Sequence, residues 1–178
     1  MEKDKVILGS GHLYIAETVE TGVVPENIFD EANNVGSISG GAELNYTPTI
    51  YDVVDDDDKV LKSFITKEEV ILKSGVLTWL LESVAKLSAG GKYDSASKTL
   101  TIGGKKSVKQ YAVGFRHEED DGYKLEVTMV GRSNKGFVIN FNKEKETIID
   151  AEFKAIKDND GILVTIKETE AVTEVTED

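Results

Sequence analysis

Alternating apolar and polar residues mark several stretches of this chain as β-strands. From Tyr123 to Val130 and from Ile148 to Ile156, apolar residues recur at every second position, mostly with charged residues between them. Because neighbouring side chains of a strand point to opposite faces, each segment has one face for the core and one for water or a partner. The pattern predicts strands at Leu13 to Ala16, Ala42 to Val54, Val60 to Leu72, Thr99 to Ile102, Val108 to Glu118, Tyr123 to Val130, Phe137 to Phe141, Ile148 to Ile156 and Ile162 to Lys167.

Glycine-containing turns separate these predicted strands. Gly103-Gly104, Asp121-Gly122 and Asp160-Gly161 supply the positive φ angles that short hairpin connections need. Hairpins that follow one another along the chain predict an antiparallel architecture.

One segment has a helical period. From Ser74 to about Leu87 apolar residues recur on one side of a helical wheel, with Ser74 as the N-cap and Gly90-Gly91 beyond the end. Trp79, the only tryptophan, projects on the far side, where it is partly exposed on an isolated subunit. Tryptophan is enriched among interface hot spots, so Trp79 is a candidate anchor between subunits; the alternatives are a loop folded over it or a helix that starts at a different residue. The apolar arc, which should lie against a sheet, consists of Val76, Leu77, Leu80, Leu81, Val84 and Leu87.

The length and composition of the chain fit a single domain over residues 1–178. A chain of this length buries roughly 70% of its unfolded surface, so it needs no disulfide or metal to fold. Cysteine is absent, which excludes a cysteine nucleophile and fits a reducing cytoplasm, and the apolar runs are too short to span a bilayer. We therefore expect a soluble protein with no membrane partner. The predicted fold is mainly β, with two packed antiparallel sheets in a sandwich or barrel-like arrangement and one flanking α-helix.

An excess of acidic residues argues against nucleic-acid binding. The chain has 33 acidic and 21 basic residues, and its formal net charge is -12. Nucleic-acid binding depends on basic residues that neutralise phosphates, so a chain this acidic repels DNA. Acidity of this kind also keeps an ordinary protein soluble. By itself it therefore does not distinguish a protein that must repel DNA from one that is merely soluble.

Segments without a strong period are expected to be mobile in a free subunit: residues 1–10, 18–34 and 52–59, and the acidic tail 168–178. Asp55 to Asp58, followed by Lys59, form an acidic tip between two long strands. The simplest interpretation is a solvated turn; the alternatives are attraction of a divalent cation or contact with a basic groove of a neighbouring subunit. The spacing of an EF-hand loop is missing. The same five residues spell an enteropeptidase site, DDDDK, which we interpret as coincidence.

Candidate catalytic residues are few in this chain, and they form no recognisable catalytic motif. The two histidines, His12 and His117, lie on predicted strands without metal-ligand spacing, which favours a structural role. Gly9-Ser10-Gly11 fits neither a nucleophile elbow nor a dinucleotide-binding loop. The acidic run from Glu118 to Asp121 is typical of a solvated turn. We expect no enzyme activity, no metal and no cofactor.

Five stretches of the chain resemble the tail tube proteins of long-tailed, siphovirus-like bacteriophages. LGSGHLYIAE, Leu8 to Glu17, is a glycine-rich lead into a strand, and TIIDAEFKAIKDNDGILVTIKE, Thr147 to Glu168, contains the last two strands. The latter carries the core row Ala151, Phe153 and Ala155 before a D-x-D-G turn, as the closing strands of that family do. The other three stretches are Val35 to Pro48, Lys67 to Leu81 and Val113 to Gly131.

The resemblance implies a subunit that polymerises. In that family six copies of a two-sheet sandwich join into a ring lined by a continuous β-barrel, and the rings stack into a tube for genome ejection. The implied partners are other copies of the chain, the tape-measure protein, the tail terminator and the tail-tip initiator complex. Genomic DNA passes through without specific binding, which a negative wall favours. The protein would belong to the phage virion, and to the host cytoplasm during assembly.

Two groups of residues are candidate sites under this interpretation. The long hairpin with the acidic tip would reach a neighbouring subunit, and the polar face of the late strands would line the lumen or an interface. The interface candidates are Trp79, Tyr51, Asp55, Asp56, Asp57, Asp58 and Lys59. The lumen or interface candidates are Lys124, Glu126, Asp150, Glu152 and Lys154.

Three classes of function remain open from the sequence. A structural tube is favoured, in a flexible phage tail, a contractile particle or a phage-tail-like bacteriocin, and its mark is concentration-dependent assembly. A monomeric β-sandwich that binds a small ligand would need an apolar cavity with convergent polar groups. A hydrolase with a carboxylate pair is least favoured, because no organised constellation supports it.

Overall fold

The computed structural model describes residues 9–18, 22–104, 107–139, 143–144 and 146–169, and most of them belong to antiparallel strands. A 3-10 turn, Glu31–Asn33, lies between the first two strands. In chain order the other elements are β1 (His12–Glu17), β2 (Ile38–Val54), β3 (Val60–Val76), α1 (Leu81–Leu87), β4 (Gly91–Asp94), β5 (Thr99–Ile102), β6 (Tyr111–Glu118), β7 (Lys124–Ser133), β8 (Ile149–Ile156) and β9 (Thr165–Thr169).

Seven of these strands form one large sheet in the order β1-β6-β7-β8-β3-β2, with β9 on β7. Strand β7 changes its partner along its length, because residues 124–128 pair with β9 whereas residues 130–133 pair with β8. Strands β4 and β5 form a second, two-stranded sheet. The structure confirms the predicted class: a mainly β, sandwich-like fold with two antiparallel sheets and one helix.

One face of the large sheet carries the main hydrophobic core. The row of alternate residues predicted for β8 is buried, with Phe153 only 1% exposed at its centre. Val84 and Leu87 of α1 and Leu100 of β5 pack against the same face, so the helix and the small sheet form its cover. Each large side chain buried here stabilises the fold by about 1.5–3 kcal/mol. The row on β8 consists of Ile149, Ala151, Phe153 and Ala155.

The helix is shorter than the sequence predicts, and Ser74 is not its N-cap. Ser74 lies inside β3, opposite Ala42 of β2 and Ala151 of β8, and its hydroxyl donates to the Gly41 carbonyl at 2.9 Å. The apolar residues from position 70 to position 76 fit a period of two as well as a helical wheel. Pairing on both edges of β3 satisfies the backbone hydrogen-bonding groups of this segment, and the segment therefore forms a strand and not a helix.

The true helix begins at Leu81, after a short extended link. Val84 and Leu87 of the predicted apolar arc are buried as expected, whereas Leu80 is exposed. The predicted apolar arc is therefore correct at Val84 and Leu87, near the end of the segment, and wrong at Leu80, which precedes the helix.

Other boundaries also differ from the prediction. Residues 137–139 of the predicted strand Phe137 to Phe141 are not in a strand, and the remaining two lie outside the described residues. Strand β4 was missed, because its Gly91 was assigned to the end of the helix. Strand β6 begins three residues later than predicted and β9 three residues later, whereas β3 runs four residues further.

Residues 24–29 pack on the other face of the sheet, although the sequence predicts a mobile loop there. Ile28 is 3% exposed, and the Phe29 ring meets the Tyr14 ring edge-on at 5.3 Å. A Cβ atom on Gly114 of β6 would lie 3.0 Å from both Ile28 and Phe29, so glycine allows this close approach. The Arg116 guanidinium lies 4.2 Å above the Phe29 ring and adds a cation–π contact. Residues 19–21 of the predicted loop lie outside the described part, as do residues 1–8 and 170–178 of the other segments expected to be mobile, whereas residues 168 and 169 belong to β9.

The described part of the chain contains no helix with the length and apolar character needed to cross a membrane.

Candidate assembly surface

The outer half of the β2–β3 hairpin stands apart from the rest of the sheet. Residues 60–68 of β3 are all exposed, whereas from Val70 onward every second residue is buried. Strand β8 pairs with β3 only over residues 71–76. Residues 48–54 and 60–68 therefore pair with each other and with no further strand of the described chain. We call residues 48–68, including the turn at the end, the arm.

Large apolar side chains lie on both faces of the arm. Ile50 is opposite Ile65 and Tyr51 is opposite Phe64, and these four side chains are 44–60% exposed. Because consecutive residues point to opposite faces, the two pairs lie on opposite sides of the ribbon. A two-stranded ribbon without a core is marginally stable in water. Contiguous exposed apolar surface of this kind marks an interaction site.

Hydrogen bonds from the backbone shape the acidic tip of the arm. The Asp55 carboxylate accepts from the N–H groups of Asp57 and Lys59 at 3.0 and 2.9 Å. Asp58 adopts a φ of 60°, in the left-handed region that aspartate tolerates in turns. Asp55 therefore organises the turn, while Asp56 to Lys59 are exposed. Among the described residues, no group of three or more histidine, aspartate or glutamate side chains could hold a metal ion.

Strands β2 and β9 are among the strands with an edge that pairs with no other strand of the described chain. The outer edge of β2 pairs with no strand of the described chain, and Pro48, which lacks an N–H, is typical of such an edge. Strand β9 pairs only with β7 among the described strands, and all five of its residues are exposed. Free edges of this kind invite pairing with another chain.

The polar residues expected on a lumen or interface form two patches. Lys124 and Glu126 lie in the first half of β7, whereas Lys154 lies opposite Arg132 near the end of that strand. Six residues of strand, from Glu126 to Arg132, correspond to roughly 20 Å. The structure therefore separates the β7 candidates from those on β8, which are Asp150, Glu152 and Lys154.

Ion pairs hold most of these polar side chains in place. Glu126 pairs with Arg116 at 2.7 Å, and Lys124 pairs with Glu118 at 3.2 Å. Asp150 is exposed on β8. The Lys124–Glu118 pair lies at the surface and contributes little to stability, about 0–1 kcal/mol, whereas the Arg116–Glu126 pair is partly buried.

Two carboxyl groups at the β8 patch, Glu152 on β8 and Glu69 on β3, have lowered pKa values. Glu152 accepts a hydrogen bond from Asn134 at 2.6 Å and lies 3.0 Å from the Lys135 ammonium. The Asn134 hydrogen bond, with support from Lys135, lowers the pKa of Glu152. Lys154 binds Glu69 and in the same way lowers the pKa of the Glu69 carboxyl group. Both carboxyl groups therefore stay charged at lower pH than an ordinary glutamate does.

Trp79 lies in the link between β3 and α1 and is 44% exposed, next to Leu80, which is 51% exposed. The partial exposure expected for this side chain is confirmed, although it arises from an extended link and not from the far side of a helix. The role of Trp79 as an anchor between subunits stays a prediction.

Sequence reasoning identified the hairpin but named few of its apolar residues. Of the four paired side chains on the two faces of the arm, only Tyr51 was a candidate; Ile50, Phe64 and Ile65 were missed. The available signal was the length of the two predicted strands, 13 residues each, which exceeds the usual length of strands in globular proteins. No periodic pattern in the sequence predicts the packing of Phe29 against the Arg116 guanidinium.

No protein-family model matches the sequence of this chain, and no curated protein matches it either. The arm, the free edges and the charge of the molecule therefore carry the argument about function.

Proposed function

We propose that this chain is a structural subunit that polymerises into stacked rings, as in the tail tube of a long-tailed phage or the tube of a phage-tail-like particle. The observation that carries this proposal is the arm, which exposes apolar side chains on both faces. The family resemblance of the sequence supplies the particular assembly, a six-membered ring. The arm supports the more general part, that the chain binds further copies of itself.

Burial of the arm supplies the driving force for this assembly. Covering a Val, Leu, Ile or Phe side chain completely is worth about 1.5–3 kcal/mol, and the arm exposes several. Binding costs overall freedom of motion, so only part of this energy appears as affinity. A contact between the arm of one copy and a different surface of the next is heterologous, and such contacts close into rings or continue as filaments.

The free edges and the charge fit the same assembly. Pairing between β2 of one copy and β9 of the next would extend the sheet and leave neither edge open. A net charge of -12 gives a wall that repels DNA, which suits a conduit through which a genome slides. In a phage, the tape-measure protein, the tail terminator and the initiator complex would be further partners.

The direct test compares the wild-type protein with a variant of the arm. Tyr51→Ser together with Phe64→Ser removes one apolar face of the arm without touching the core. Negative-stain electron microscopy and mass photometry over a concentration series should show rings or tubes for the wild type. We expect the double variant to stay monomeric at concentrations at least tenfold above the wild-type threshold.

Ile102→Ser is the matched control, because Ile102 is 55% exposed but lies on β5, away from the arm. This variant should assemble like the wild type. Assembly of the double variant at the wild-type threshold would refute the role of the arm. A wild type that stays monomeric at every concentration, with and without preformed tail tips, would overturn the proposal and favour a ligand-binding monomer.

A further inference from the structure

His117 connects the end of β6 to residues 9–11, which we call the lead-in. The side chain is buried, with 4% of the residue exposed. Its Nδ1 lies within hydrogen-bond distance of the Ser10 carbonyl oxygen, and its Nε2 lies 2.9 Å from Glu119 Oε1. The imidazole therefore bridges the lead-in and the turn that follows β6.

Both partners of the ring are acceptors only. A backbone carbonyl and a carboxylate accept hydrogen bonds, and neither can donate one. A neutral imidazole donates from one nitrogen, whereas the imidazolium donates from both. The two contacts can therefore coexist only when His117 is protonated. In agreement with this geometry, the hydrogen bond to Glu119 and the one to the Ser10 carbonyl raise the pKa of His117.

We propose that His117 is a pH-dependent latch that holds the lead-in while it is protonated and releases the Ser10 carbonyl when it loses its proton. A neutral ring must choose one acceptor. Hydrogen bonds to a charged carboxylate are about twice as strong as neutral ones, so the proton stays on Nε2, facing Glu119. The lone pair of Nδ1 then faces the carbonyl oxygen of Ser10, and the two repel each other.

Within the part of the chain that the structure describes, few other charges lie around the ring. Glu119 is the charged group in direct contact, and the lead-in itself contributes none. On β7, His117 lies opposite the apolar Leu125, beyond which Glu168 of β9 follows across the sheet. Glu118 is the next residue along β6, so it points to the other face, where it pairs with Lys124. Among the described residues, Glu119 therefore has the largest effect on the charge state of His117.

The sign of the pH effect follows from the raised pKa. Stability contributed by the protonated latch is fully present below pH 6.5, the ordinary pKa of histidine, and is lost as the pH rises through the higher pKa of the folded state. Release therefore occurs above pH 6.5, independently of whether the protein assembles.

Amide hydrogen exchange, followed by mass spectrometry and corrected for the intrinsic effect of pH, tests the latch. Peptides that cover the lead-in should exchange up to about tenfold faster above the pKa of His117 than below it, which corresponds to one lost hydrogen bond. Ring nitrogen NMR on the same protein should show both nitrogens protonated in the slow state.

Glu119→Gln separates the latch from a merely structural contact. A carboxamide can donate to a neutral Nε2, which leaves Nδ1–H free to donate to Ser10, so the lead-in of this variant should stay docked at every pH. The matched control is His12→Asn, on the exposed end of β1. This variant should keep the wild-type increase in lead-in exchange rate as the pH rises through the pKa of His117. The proposal would be overturned if the exchange rate of the wild-type lead-in did not increase at the pKa of His117. It would also be overturned if Glu119→Gln left that increase unchanged.

Discussion

Phe153 and Phe64 have the same side chain, but they have opposite surroundings. Phe153 lies on β8 with neighbouring strands on both sides, opposite Leu72 of β3 and Ser133 of β7. Phe64 lies on the arm, where its one strand neighbour is Tyr51 and the Lys62 ammonium sits 4.7 Å above its ring. Burial, and not residue type, therefore decides what each phenylalanine contributes to the folded subunit.

Truncation of the two side chains should separate stability from assembly. We expect Phe153→Ala to lower the free energy of unfolding by about 3–5 kcal/mol, because it leaves a cavity in the core. Phe64→Ala should cost about 1 kcal/mol or less, the size of a cross-strand pair. Urea unfolding of the dilute monomer measures both. Similar losses for the two variants would mean that the arm is buried in the monomer.

At the scale of elements, β2 and β3 each serve two purposes. Their inner halves belong to the large sheet, where β3 lies between β2 and β8. Among the described strands, their outer halves pair only with each other, so the same two strands pass from a buried to an exposed environment near Val70. An element with few buried contacts opens locally at low cost, which is typical of segments that move or bind.

Cleavage at the tip reports whether the arm is covered. Asp55 to Lys59 match the recognition sequence of enteropeptidase, and the turn is exposed in the monomer. Since the ribbon opens easily, we expect the dilute protein to be cut after Lys59 and the assembled protein to be cut at least tenfold more slowly. Gel electrophoresis of timed samples measures the rates. Asp58→Ala, which alters the recognition sequence, is the control for specific cleavage.

At the scale of the whole molecule, net charge opposes any assembly of identical copies. Each copy carries a charge of -12, and the ion pairs described above lie within one chain and do not reduce it. Apolar burial of the arm must therefore outweigh repulsion between subunits. Salt changes this balance, because the Debye length falls from about 30 Å at 0.01 M to about 8 Å at 0.15 M.

We therefore expect the threshold concentration for assembly to fall as the ionic strength rises over that range. Mass photometry on a dilution series at each salt concentration gives the threshold. A threshold that rises with salt would show that opposite charges across the contact drive association, and would direct attention from the apolar faces of the arm to its acidic tip.

The sequence by itself determined the class of the fold and the core row of β8. Alternation is a local property, and a segment such as Ile148 to Ile156 has one face that can only be buried. The glycine turns and the long hairpin were equally readable, because turn residues act through their own φ angles. These predictions needed no knowledge of which strands are neighbours.

The tertiary structure decided the features that depend on neighbours distant in sequence. Ser74 is in a strand and not at a helix start because β2 and β8 pair with it from both sides. Phe29 packs because Gly114 leaves room for it on β6. The arm is exposed because β8 ends before reaching it. Pairing partners set burial, and a single stretch of sequence does not contain its partners.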